Sequence, residues 1–122
     1  MLHYALVFLG AGLGGVTRYG VNLAVARHID TRFPLATFLA NVTGCFLAGV
    51  AITVIAEGEA NDQWRLLLVV GVLGGYTTFS TFGYETLQAI RLGHPLIALG
   101  NAVGSVPTGL AAVWAGVWLA RH

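Results

Sequence analysis

Charge is what this chain has least of. Only 9% of its 122 residues are Asp, Glu, Lys or Arg, against about 25% in a typical soluble domain. Lysine is missing altogether, so all six basic side chains are Arg, and with five acids the net charge is +1. That balance excludes an electrostatic footprint for nucleic acid. Cysteine occurs once, at Cys45, which excludes an internal disulfide; in its apolar run it reads as a small buried residue. His3, His28, His94 and His122 stand at span ends or termini without the spacing of a metal site. There is no nucleotide-binding glycine loop and no nucleophile–base pairing, so enzyme chemistry finds no candidate residue. The opening MLHYALVFLGAG has no basic stretch ahead of its apolar run, which argues against a cleavable signal peptide and for a first span.

Apolar side chains are abundant instead, at 57%. A chain this short buries only roughly 60% of its surface on folding, so the excess faces lipid. The expected fold is an all-α integral membrane protein, a single unit over 1–122. Four stretches reach the length of about 20 residues that a bilayer requires: 2–26, 34–56, 64–91 and 95–120. Between them lie RHIDTRF, EGEANDQ and RLGH. Pro34 and Pro95 suit the first turn of a helix, where a missing N–H costs nothing, and Asp30 and Thr31 suit the cap before the second span.

The 17 glycines are patterned. Gly10 and Gly14, Gly71 and Gly75, and Gly100 and Gly104 each stand four apart, the spacing that lets membrane helices approach closely. The arginines, by contrast, give almost no orientation. With four spans, Arg65 and Arg121 lie on one side and Arg27, Arg32 and Arg91 on the other, so the positive-inside rule has little to act on. Such a chain can insert both ways up and pair as an antiparallel homodimer, or take one weakly specified orientation.

Polar residues inside the spans are costly and usually face protein or water. In the fourth span Asn101, Ser105 and Thr108 share one helical face; in the second, Thr37 and Asn41 do. All five offer donors and none is an acid, which suits a partly dehydrated anion. Interhelical hydrogen bonding is the alternative use of the same groups. The third span carries GGYTTFSTFG at its middle. Gly74 and Gly75 weaken a helix there by about 1 kcal/mol each, and Thr77, Thr78, Ser80 and Thr81 can satisfy freed backbone groups. The expectation is a helix broken mid-membrane, buried in protein or lining a cavity, with free carbonyls near Gly74 to Thr77 able to hold a small cation such as Na⁺; a continuous helix with back-bonded Thr and Ser is the alternative. Phe79 and Phe82 share a face, and the positive edge of an aromatic ring can attract an anion. Arg18, alone deep in the first span, either concentrates anions at a pore mouth or snorkels to the interface. Glu85 could pair with an Arg or cap a buried donor.

These residues together resemble the Fluc, or CrcB-type, family of fluoride channels over nearly the whole chain. GAGLGGVTRYG is similar to its first helix, FPLATFLANVTGCFLAG to its second, GVLGGYTTFSTFGYE to its most specific signature and NAVGSVPTG to its fourth helix. The resemblance implies a dual-topology antiparallel homodimer with two fluoride pores in the cytoplasmic membrane. It implies a structural Na⁺ at the two-fold axis, held by the main-chain carbonyls of Gly74 and Thr77. It implies a pore of Asn41, Phe79, Ser80, Thr81, Phe82, Asn101, Ser105 and Thr108, with Arg18 in the vestibule. The implied activity is passive export of F⁻ that relieves fluoride toxicity. This chain departs from the pattern at Asn101, where some relatives carry Tyr, and at Pro107 inside the fourth helix. Two other classes compete with this one. A small proton-coupled multidrug-type exporter needs an acid deep in its first span, which is absent here. A non-transporting structural membrane subunit leaves the hydroxyl–Phe cluster unexplained.

Overall fold

The computed structural model describes residues 1–58 and 62–122; Glu59, expected to be a solvated loop residue, lies outside them. All regular structure among the described residues is helical. Helix α1 spans Leu2–His28 and α2 spans Leu35–Glu57. A short α3, Asp62–Trp64, leads into a π-helix, Arg65–Leu73, and then α4, Gly74–Tyr76. Helix α5 runs Phe79–Arg91 and α6 runs Pro95–Arg121.

Three stretches are long and apolar enough to cross a membrane: Leu35–Glu57, Asp62–Arg91 and Pro95–Arg121. The sequence suggested a fourth. Helix α1, at 27 residues, has the length, but its glycines, His3 and Arg18 dilute its apolar character. Large side chains lie open on the outside of every helix but the short α4, among them Phe8 at 77% and Leu110 at 68% exposure. That is the inverse of a soluble fold and the form expected of a multi-pass membrane protein.

Small residues decide how the longest helices pair. Gly10 and Gly14 of α1 lie against the π-helix and α4. A Cβ on Gly10 would stand 2.9 Å from Gly71 Cα, and one on Gly14 would meet the Val72 carbonyl and stand 2.7 Å from Tyr76 N. Gly75 rests on Ala11 in the same seam. Two of the three expected glycine pairs therefore meet each other. The third, Gly100 and Gly104, meets nothing within the chain. Its place in the α2–α6 contact is taken by Gly49, against Val113, and Gly116, against Phe46, neither of which stands in a four-apart pair.

The connections are tight. Gly93, with φ +80°, ends α5: its N–H bonds to Ile90 O at 3.0 Å, and His94 N–H bonds to Ala89 O at 2.8 Å. This double closure satisfies carbonyls that a helix end leaves open. Pro95 opens α6 as expected. Pro34 instead occupies the cap position of α2, which has no side-chain cap; Thr31 accepts from Phe33 N–H at 3.1 Å and shapes the preceding turn. Pro107 does not interrupt α6. The N–H it lacks would have gone to the Val103 carbonyl of the same helix, and both residues lie on the exposed side.

Candidate functional site

Between α4 and α5 the backbone is extended at two residues, Thr77 (φ −80°, ψ 156°) and Thr78 (φ −152°, ψ 120°). Asn41 of α2 holds this pair. Thr78 N–H donates to Asn41 Oδ1 at 2.7 Å, and Asn41 Nδ2 donates to Thr78 O at 3.0 Å. The amide thus replaces the acceptor that a continuous helix would give Thr78 N–H and adds a second donor to its carbonyl, which as the N-cap already opens α5. The threonine hydroxyl then caps α5: Thr81 N–H donates to Thr78 Oγ1 at 3.2 Å, and Ser80 Oγ lies 3.3 Å from it. Thr78 Oγ1 donates on to Thr81 Oγ1 at 3.0 Å. Gly44 lets α2 come close, since a Cβ there would run into the Thr77 methyl. Tyr76, buried, anchors the upstream end through Thr43 Oγ1 at 2.8 Å.

The break leaves the carbonyls from Gly74 to Thr77 without their helical donors, and for two of them the redirected donor is explicit. Thr78 N–H would serve Gly74 O in a continuous helix, and Thr81 N–H would serve Thr77 O. Both N–H groups go elsewhere. Gly74 is exposed, so its carbonyl region is open to a further ligand. Oxygen dipoles of this kind suit a hard monovalent cation.

Two hollows flank Thr78. One, of about 370 Å³, is lined by Asn41, Gly44, Cys45, Gly74, Thr77 and Phe79 among others. The second, of about 270 Å³, is lined by Gly15, Arg18, Tyr19, Asn22, Thr37 and Thr81. Thr78 is the one lining residue common to both. Arg18 is accordingly brought to a hydroxyl-rich cavity together with Asn22, which the sequence reading passed over because it follows Arg18 on a stretch read as plain span.

Downstream, the Phe79 and Phe82 rings lie 5.6 Å apart at 34°. Phe79 is 82% exposed, so its ring is presented outward from the protomer. Asn101 is 2% exposed. It donates to Thr86 Oγ1 at 2.9 Å and accepts from Ser105 Oγ at 3.2 Å, joining α5 to α6. Thr108 is exposed, and its hydroxyl donates back to Gly104 O at 2.6 Å. Asn101, Ser105 and Thr108, at i, i+4 and i+7 of α6, thus have progressively more open surroundings.

Glu85 finds no arginine. Its Oε2 is buried without a hydrogen-bond partner, its carboxylate neighbours the Thr37 hydroxyl, and it faces a third hollow of about 480 Å³ with Arg32 and His94. The salt bridge present among the described residues joins Arg121 to Glu57 at 3.2 Å, with both side chains more than half exposed. No group of three or more His, Cys, Asp or Glu able to hold a metal occurs among the described residues. Thr86 and Thr43, which complete the polar contacts, carry no pattern in the sequence that sets them apart from any mid-helix threonine.

Comparison with known proteins bears on what this arrangement is for. A family model described as CrcB-like protein, Camphor Resistance (CrcB), matches residues 5–117. The chain is 48% identical over 122 residues to the fluoride-specific ion channel FluC of Solibacter usitatus, covering 99% of this chain and all of that protein. It is 43% identical to fluoride-specific ion channel FluC 2 of Nitrobacter hamburgensis, over 99% and 98% of the two chains. It is also 43% identical to the fluoride-specific ion channel FluC of Coxiella burnetii, over 99% of each.

Proposed function

This chain belongs to the CrcB-like family, a family of channels and not of enzymes, and on that footing we propose that it is a fluoride channel. It works as an antiparallel pair of copies in the cytoplasmic membrane, with all four helical stretches crossing and the Thr77–Thr78 interruption at mid-depth. Fluoride moves passively and outward, driven by a negative-inside potential worth about 2.3 kcal/mol per charge per 100 mV. The observation that carries the reading is the extended pair held by Asn41, with hydroxyl and phenyl groups clustered on its downstream side.

Fluoride is small and tightly hydrated, and a pore must replace its water without trapping it. Arg18 and the hydroxyls of Thr37, Thr78 and Thr81 gather the anion in the vestibule. It then passes the ring edges of Phe79 and Phe82, the second N–H of Asn41, and the hydroxyls of Ser80 and Ser105. None of these carries a full charge, so the ion is held by dipoles it can leave. Thr108 and Thr81 lie along the same path, and Asn101, 2% exposed, stands behind it. Na⁺ fits the carbonyls of Gly74 and Thr77, because both have lost their helical donors. Those carbonyls would hold it, and it would supply a fixed positive charge where two copies meet. The multidrug-type exporter is not favoured, since Leu2–His28 holds no acid.

The test is anion efflux from liposomes with F⁻ or Cl⁻ as sole permeant anion and no proton gradient. Rapid F⁻ efflux is expected. Vesicles that retain fluoride as well as empty ones, or flux that requires a proton gradient, end the proposal. For the cation site, replacing Na⁺ by a large organic cation should lower the thermal stability of the dimer; an unchanged melting temperature rejects it.

A further inference from the structure

Four polar groups form a line between α5 and α6, and its directions are forced. The Phe82 carbonyl can only accept, and it takes the Thr86 hydroxyl proton at 2.7 Å. That hydroxyl has no second proton, so toward Asn101 it can only accept, and Asn101 Nδ2 donates to it at 2.9 Å. The amide is thereby fixed with Oδ1 turned to Ser105, since the network decides which end of an amide is which. Ser105 Oγ donates to that oxygen at 3.2 Å. Asn101 is 2% exposed, so water does not compete for its amide. Ser105 is half-buried at the open end of the line, and its bond is the longest of the three.

We propose that Thr86 and Asn101 are positioning residues that keep the Ser105 proton on an amide oxygen, as a donor that a passing fluoride takes up and gives back. The inference rests on the channel reading above. A serine with an unclaimed proton is a strong ligand for a small anion. One already donating to an amide is a weaker ligand, because the ion must displace a hydrogen bond to use it, and weak binding is what lets a permeant ion leave. The line begins at the main chain of Phe82, so the ring and the hydroxyl are referred to one backbone position. Without the Thr86 hydroxyl nothing dictates the amide's orientation. Asn101 can then turn Nδ2 to Ser105, which becomes the acceptor, and the serine proton is set free.

The experiment measures flux against fluoride concentration for the reconstituted dimer. Thr86→Val should lower the half-saturating fluoride concentration and the maximal flux together, each by roughly threefold to tenfold, the equilibrium weight of one hydrogen bond. Thr86→Ser keeps the hydroxyl and should restore both. Adding Thr86→Val to Ser105→Ala should change nothing further. Thr86→Ala removes the same hydroxyl with less bulk and serves where the valine variant yields no folded dimer. An unchanged half-saturation in both hydroxyl-less variants, a serine variant that fails to restore it, or a full effect in the Ser105→Ala background overturns the proposal. A wild-type protein that passes no fluoride removes the channel reading and this inference with it, and is seen before any variant is made.

Discussion

The third hydrophobic stretch is built in two halves that obey different rules. Its upstream half, from Arg65 to Tyr76, packs against α1, with Gly10, Gly14, Gly71 and Gly75 letting main chain meet main chain at the closest points. Its downstream half, Phe79–Arg91, buries no residue fully and leaves Phe79, Tyr84 and Ile90 open. It is tied to its neighbours by hydrogen bonds, through Thr78 to Asn41 and through Thr86 to Asn101. Membrane helices have no hydrophobic drive toward one another and associate through close packing and polar contacts. Here the two means are separated in sequence: close packing fixes the upstream half, and polar contacts aim the downstream one. Damage upstream should therefore appear as lost structure, and damage downstream as lost transport in a protein that still folds.

The sharpest way to break that contrast is Gly14→Val. Its branched Cβ would meet the Val72 carbonyl and Tyr76 N, and these are backbone atoms that cannot swing away. The cost should exceed the roughly 1–3 kcal/mol of ordinary overpacking, and little folded dimer should survive size-exclusion chromatography in detergent. A well-folded Gly14→Val protein would mean the seam is looser than a main-chain contact.

Phe79→Ile should do the opposite. The ring is 82% exposed in the protomer, so melting temperature and dimer should persist while fluoride efflux falls about tenfold or more as the ring-edge dipole disappears. Wild-type efflux in this variant would take the ring out of the path.

Between these lies Asn41→Asp, at the junction of the halves. The carboxylate still accepts from Thr78 N–H but no longer donates to Thr78 O. Loss of one such bond predicts a destabilisation of about 1 kcal/mol, with a disproportionate loss of flux from the negative charge beside an anion's route. Equal losses in stability and flux would show that the junction belongs to the upstream regime. The smallest effect is expected from Glu57→Gln. Its pair with Arg121 is more than half exposed on both sides, so stability should change by less than about 1 kcal/mol and the change should vanish in high salt.

Much of this contrast could be read from the residues themselves. Glycines four apart announced the α1 seam, and GGYTTFSTFG announced where polar groups gather, because both are compositional signals. Gly49 and Gly116 were missed because each stands alone, and a single glycine means nothing until its opposite helix is known. The π-helix over Arg65–Leu73 has no signature in RLLLVVGVL, since the choice between i+4 and i+5 bonding is made by the fit against α1 rather than by side-chain type. Asn41 was read as a donor lining a path, yet both ends of its amide serve the Thr78 backbone. Periodicity places a side chain on a face but cannot reveal how many of its hydrogen bonds are already committed. Thr86 escaped for the same reason.

One residue separates the hollow beside Gly74 from the hollow beside Arg18, since Thr78 borders both. If a cation occupies the first and an anion the second, opposite charges stand across a partition one residue thick. Each would then soften the other's exposure to hydrocarbon, and emptying one chamber would alter the other's appetite for its ion.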